Sequence, residues 1–226
     1  MGSVGPEFEG EFETHLTVRP ASGPDGTEGD ADRLGLWAVR RGLKLTRIVL
    51  DRGAAPDQPM LTERGRGSLS GQREAAARRR AELEAAGFPV VRVKIEAAPW
   101  NEDVPGTPAA ARELDGVLPG CHFEHHIKLV LSGEDQLVMA RAVAELHGAH
   151  LSRNARRAYE GRHERFVTQR CRAVGRPGAR ARLDALLAGL SAAALEAVEV
   201  EEEFVVYDDC PAVDAGWIDE REKVTV

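Results

Sequence analysis

The chain has 226 residues and carries a formal charge of −7, with a pI near 5.6, a balance that argues against general binding to nucleic acid or to anionic membranes. Its 30% charged and 42% hydrophobic residues are ordinary for a globular protein. No apolar run reaches the roughly 18 residues of a membrane span, and the opening MGSVGPEFEGEFE lacks the basic start and apolar stretch of a secretory signal, so a cytoplasmic location is expected.

In chain order, the first predicted strand runs from Glu11 to Arg19, where Phe, Leu and Val alternate with Glu, His and Thr. A helix follows, with Asp30 or Asp32 as its cap, Leu34, Trp37 and Ala38 at helical spacing, and Gly42 as its stop. A strand over Lys44 to Leu50, a loop rich in Gly, Pro and Asp, and a short strand over Met60 to Arg64 come next. Gly65-Arg66-Gly67-Ser68 opens a long helix, about Leu69 to Ala86, ended by Gly87, and Val90 to Ala97 forms the fourth strand. The proline-rich segment from about 98 to 120 reads as a linker.

The second half repeats the first. Phe12-Glu13-Thr14-His15-Leu16-Thr17-Val18 recurs 111 positions on as Phe123-Glu124-His125-His126-Ile127-Lys128-Leu129. From Gly42 onward the offset becomes 106: Leu61-Thr62-Glu63-Arg64 meets Val167-Thr168-Gln169-Arg170, Arg66 meets Arg172, and Glu96 meets Glu202. Ordered matches across the whole unit indicate an internal duplication. The expected fold is therefore α+β, two ferredoxin-like βαββαβ modules forming one pseudo-symmetric unit. Residues 1–105 make the first module, 121–218 the second, and 219–226 a tail. The sheets either pack face to face or join into one larger sheet.

Alternation along the strands assigns the polar groups. Phe12, Leu16 and Val18 belong to the helix-covered face, which puts Glu13, His15 and Thr17 on the other. Val91, Val93 and Ile95 likewise leave Arg92, Lys94 and Glu96 opposite. Glu124, His126 and Lys128 share the corresponding face of the second copy, with Thr62, Arg64, Thr168 and Arg170 able to join from the third strands. The last strand, with Glu199, Glu201, Glu202 and Glu203, is ambiguous by one residue; its acidic run also reads as a charge-protected edge. A wet, polar sheet face is the plain alternative to a functional cleft. Three features favour the cleft: the histidine strand is the piece best preserved between copies, it carries histidines, and three of the four lysines (Lys44, Lys94, Lys128 and Lys223) lie on predicted strands. The other cations are all arginine, which with abundant Ala and Gly suggests a GC-rich genome such as that of an actinobacterium. Cys121, Cys171 and Cys210 are widely spaced and fit reduced thiols.

His15-Leu16-Thr17 in a duplicated α/β chain resembles the H-x-T signature of the two-histidine (2H) phosphoesterases. That resemblance implies His15 and His126 as an acid–base pair on a small phosphorylated or nucleotide-like substrate, with Thr17, Lys128, Arg64, Arg170 and Lys94 holding phosphate oxygens. The repeat partner His126-Ile127-Lys128 departs from the signature by lacking the hydroxyl. The set His15, Glu96, His126 and Glu202 (or Glu203) resembles, in turn, the ligands of the vicinal oxygen chelate metalloenzymes, which implies a divalent metal. The expected leading function is thus a hydrolase of phosphoesterase type without a cofactor. A divalent-metal enzyme and a non-enzymatic binding or assembly module are the alternatives. The expected partner is a small molecule, and homo-oligomerisation is left open.

Overall fold

The structure is a computed structural model and describes residues 6–20, 28–154 and 163–217. The described residues form eight strands: β1 (Glu9–Val18), β2 (Lys44–Leu50), β3 (Asp57–Ser68), β4 (Val90–Ala97), β5 (His122–Leu131), β6 (Ala149–Asn154), β7 (His163–Cys171) and β8 (Ala197–Asp208). Five helices accompany them: α1 (Glu28–Val39), α2 (Leu69–Ala85), α3 (Pro108–Val117), α4 (Glu134–Leu146) and α5 (Arg176–Ala192). A 3-10 turn spans Pro211–Asp214. The chain is α+β, and no helix among the described residues is long and apolar enough to cross a membrane.

Pairing within each half follows the split βαβ order, β4-β1-β3-β2 and β8-β5-β7-β6. The halves then join edge to edge, β2 with β6 and β4 with β8, both antiparallel, so that all eight strands close into one barrel. Of the two arrangements open to the duplicated sequence, the structure adopts the joined sheet. The reason lies in the strand faces: one face is apolar and covered by helices, whereas the other is too polar to pack dry against a second sheet.

Two apolar clusters lie between the sheet and its helices. One gathers Phe12, Leu16, Leu61, Leu83 and Ile95, with Phe123 and Phe204 from the second half. The other gathers Ile127, Leu129, Leu151, Val167, Leu183 and Leu190. Trp37 packs edge-on against Phe88, and Phe204 lies between Phe8 and Phe123, so both are packing residues. Cys121, Cys171 and Cys210 are free thiols.

Several boundaries differ from the sequence reading. β3 extends through the Gly65-Arg66-Gly67-Ser68 stretch, and Ser68 caps α2 by accepting from the Gly71 N–H. The segment read as linker contains α3, whose N-terminus is capped by the Thr107 hydroxyl. α1 already includes Asp30 and Asp32, so neither is its cap. The expected tail, 219–226, lies outside the described residues; Trp217 docks on the body, donating its indole N–H to Leu151 O at 2.9 Å.

Candidate functional site

An eight-stranded barrel has an interior just wide enough for side chains to fill. Here the inward positions of β1, β4, β5 and β8 fill it with charge. Glu13 pairs in register with Glu96 and Glu124 with Glu203, and His15 and His126 stand two residues further along their strands. A cavity of about 140 Å3 is lined by both histidines together with Thr17, Lys94 and Arg170. Both histidines thus lie on one shared face, as strand alternation requires.

Each histidine is held the same way. His15 Nδ1 lies 3.0 Å from Thr62 Oγ1, and His126 Nδ1 lies 3.0 Å from Thr168 Oγ1. The other ring nitrogens face carboxylates. His15 Nε2 is 2.6 Å from Glu96 Oε2, and His126 Nε2 is 3.3 Å from Glu203 Oε2 and 3.6 Å from Glu124 Oε2. One ligand atom each from Glu96, His126 and Glu203 lie within 4.8 Å of one another, as do those of Glu13, His15 and Glu203.

Behind these groups runs a chain of ion pairs. Lys94 Nζ sits 2.6 Å from Glu96 Oε1 and 2.5 Å from Glu124 Oε2. Arg170 joins Glu124 at 2.7 Å to Asp214 at 2.6 Å. Arg92 reaches Asp214 at 3.0 Å and forks onto Asp208 at 2.5 and 3.0 Å. Asp214 enters from the 3-10 turn, which lies at the barrel opening nearest Arg92 and Gln58; Gln58 donates to Asp214 Oδ1 at 3.2 Å.

Burial and neighbouring charge oppose each other at every group. Burial would neutralise Lys94, but Glu124 and Glu96 outweigh it and hold the ammonium above its ordinary range. Glu96 and Glu124 are each 1% exposed; burial raises them, yet Lys94 and their other cationic partners keep both well below the usual carboxylate range. Burial depresses His126, while hydrogen bonds to Glu124 and Glu203 push it up to about 10. Glu203 is raised to about 7 by burial and by Glu96, against the pull of His126. Five of the inward carboxylates (Glu96, Glu124, Glu203, Asp208 and Asp214) thus face three permanent cations (Arg92, Lys94 and Arg170), while Glu13 is paired with Arg64. Protonated His126 adds a fourth positive charge; with both histidines neutral, as metal ligation requires, the cluster would be two positive charges short.

Five expected site residues fall elsewhere or act differently, among them Lys94, whose ammonium is engaged by Glu96 and Glu124. Glu202 points outward and pairs with Arg180 at 2.9 Å, so the inward carboxylate is Glu203. The strand register explains it: Glu96 opposite Glu13 matches Glu203 opposite Glu124, an offset of 107 rather than 106. The extra residue lies between β7 and α5, where Ala173 adopts φ +53, and a one-residue shift exchanges the faces of a strand. Lys128 pairs with Glu164 at 3.3 Å and Glu199 at 3.5 Å and does not line the histidine cavity. Arg64 stands at an exposed rim, 2.7 Å from Glu13. Arg170 is inside, as expected, with its guanidinium engaged by Glu124 and Asp214. Asp208 and Asp214 escaped sequence reasoning because nothing in a short C-terminal stretch signals that it folds back into a barrel.

Comparison of the sequence with protein-family models and with curated proteins finds no match. Among solved structures, the chain is similar to the small subunit of acetolactate synthase from Thermotoga maritima, at 12% identity and TM-score 0.31, covering 88% of this chain and 95% of that one. It is also similar to the ligand-free regulatory subunit of aspartate kinase from Thermus thermophilus, at 14% identity and TM-score 0.30, covering 80% and 93%. A mutant chlorite dismutase from Candidatus Nitrospira defluvii matches at 10% identity and TM-score 0.28, covering 87% and 91%. At these TM-scores the likenesses carry no argument about the site.

Proposed function

We propose that the barrel interior binds one divalent transition-metal ion through His15, Glu96, His126 and Glu203, and that the protein is a metal-dependent enzyme acting on a small molecule. The observation that carries this reading is the paired geometry at the histidines. A metal ion that displaced the Nε2 protons now shared with the carboxylates would leave each ring with Nδ1 donating to Thr62 or Thr168 and Nε2 aimed among the carboxylates, the arrangement that outer-shell partners impose on metal-bound histidine. Two histidines and two carboxylates suit Zn, Mn, Fe or Ni, and a dication supplies the two positive charges that the cluster lacks once both histidines are neutral ligands. The bound ion would supply Lewis-acid activation of a substrate oxygen. Glu13, within reach of His15 and Glu203, is placed to accept a proton from a substrate held there. Lys94 and Arg170 fix Glu96 and Glu124 in place.

The ligand pairs come from equivalent strands of the two halves, which fits an origin by duplication of one ferredoxin-like module. The 2H-phosphoesterase reading uses the same two histidines without metal. A carboxylate at each Nε2 opposes a phosphate dianion there, and the cations expected to bind it are either already paired to carboxylates or remote.

The test is elemental analysis by mass spectrometry of the purified full chain, compared with His15→Ala, His126→Ala, Glu203→Ala and Glu202→Ala. The expected result is near-stoichiometric metal in the wild type and in Glu202→Ala, and loss in the other three. A wild-type protein that holds no metal after incubation with Zn, Mn, Fe and Ni overturns the reading; turnover of 2′,3′-cyclic nucleotides by that metal-free protein would establish the phosphoesterase instead.

A further inference from the structure

The join between β4 and β8 is incomplete. β4 pairs with β8 only from Lys94 to Ala97, opposite Asp208 to Phe204. Beyond Ala97 the chain turns away through Pro99 and Trp100, while β8 continues from Glu203 back to Ala197 paired with β5 alone. A groove of about 760 Å3 occupies the gap, a volume of substrate scale. It is lined by Glu13, Glu96 and Glu203 of the proposed metal centre, and it shares Glu13, Glu201 and Glu203 with the interior cavity, so the two spaces meet at those carboxylates.

The rest of the lining is unlike the interior. Trp100 is 65% exposed and Val200 41% exposed, and Ala97, Ala98 and Pro99 complete an apolar wall. An indole left open beside a groove offers a flat stacking surface. The charge at the groove is mostly negative: Arg64 and Arg66 are its only cations among the described lining residues, and they are already paired with Glu13 and Glu11. Glu201 and Glu203 line it from β8, beside Glu202, which is paired with Arg180.

We infer that this groove is the substrate entrance, and that it selects an uncharged or cationic molecule with a flat, unsaturated body and an oxygen donor at its leading end. The body stacks on Trp100 and lies along Val200, and the donor reaches the carboxylates at the floor. Phosphate esters and other polyanions are repelled before they reach the histidines. The delivery of the oxygen rests on the metal-centre reading; recognition of the body by Trp100 does not.

Equilibrium titration of the full chain with 2-naphthol and with 2-naphthyl phosphate tests this, in zinc-loaded and chelator-treated protein. The expected result is at least tenfold tighter binding of 2-naphthol, weakened roughly five- to tenfold by Trp100→Ala and unchanged by Leu146→Ala, an exposed apolar control on α4. The Trp100 effect should persist after metal removal. No detectable binding of 2-naphthol, an inert Trp100→Ala, or equal binding of the phosphate overturns the inference, whatever the metal content. Loss of metal binding with the Trp100 effect intact removes the metal centre alone.

Discussion

Lys94 reaches across the seam between the two halves and sets its Nζ 2.5 Å from Glu124 Oε2. The same ammonium holds Glu96 within its own strand, so one lysine bridges an inward carboxylate from each half.

Removing that lysine should therefore destabilise strongly. Breaking a buried pair leaves an uncompensated charge, at a cost of about 3 to 5 kcal/mol. Lys94→Met should lower the urea midpoint accordingly, and Lys94→Met combined with Glu124→Gln should recover a large part of the loss. A Lys94→Met protein as stable as wild type would mean that the pair carries no net coupling.

Asp214 ties the C-terminal turn to Arg92 and Arg170 at once. Asp214→Asn should keep the shape and weaken both pairs, loosening the 3-10 turn from the barrel. Hydrogen exchange at the Trp217 amide, which donates to Asp214 O at 3.0 Å, should accelerate well ahead of exchange in β1 and β5. Equal protection in both proteins would show that the turn is held by packing alone.

The two threonines act on the ion through the rings they hold. Thr62→Val and Thr168→Val preserve volume but remove the partner of Nδ1, and each should weaken metal affinity roughly 10- to 100-fold. Competition with a chelator measures this directly. Unchanged affinity in both variants would remove the positioning role while leaving the ligand set intact.

His122 gives a pH dependence of definite sign. Burial, with Arg170 and Arg172 nearby, lowers it to about 4 despite Glu124. Its Nε2 is buried without a hydrogen-bond partner among the described residues, while Nδ1 lies 2.8 Å from Gly120 O. The unfolded chain then binds a proton below about 6.5 that the folded chain refuses until about 4. This residue's contribution to stability is therefore lost as pH falls through that window, by on the order of 3 kcal/mol at most. Subtracting the profile of His122→Gln from that of wild type isolates the effect; superimposable profiles would refute it.

Periodicity and repetition made much of this protein legible from its residues. Alternation along Phe12–Val18 and Val91–Glu96 names the buried face and the polar face, because side chains on a strand must point to opposite sides. The matched His15 and His126 strands reveal the duplication for the same local reason. Sequence alignment went astray at Glu202, where one residue inserted near Ala173 shifts the strand phase, and only the backbone pairing of Glu124 with Glu203 identifies the inward carboxylate. Lys128 lies on the expected face and still misses the histidines, since position along a barrel strand depends on closure. Asp208 and Asp214 join Arg92 and Arg170 from a distant part of the chain. Local pattern sets which way a side chain points; which groups then meet depends on long-range pairing between strands more than a hundred residues apart, and that pairing leaves no periodic trace in the sequence.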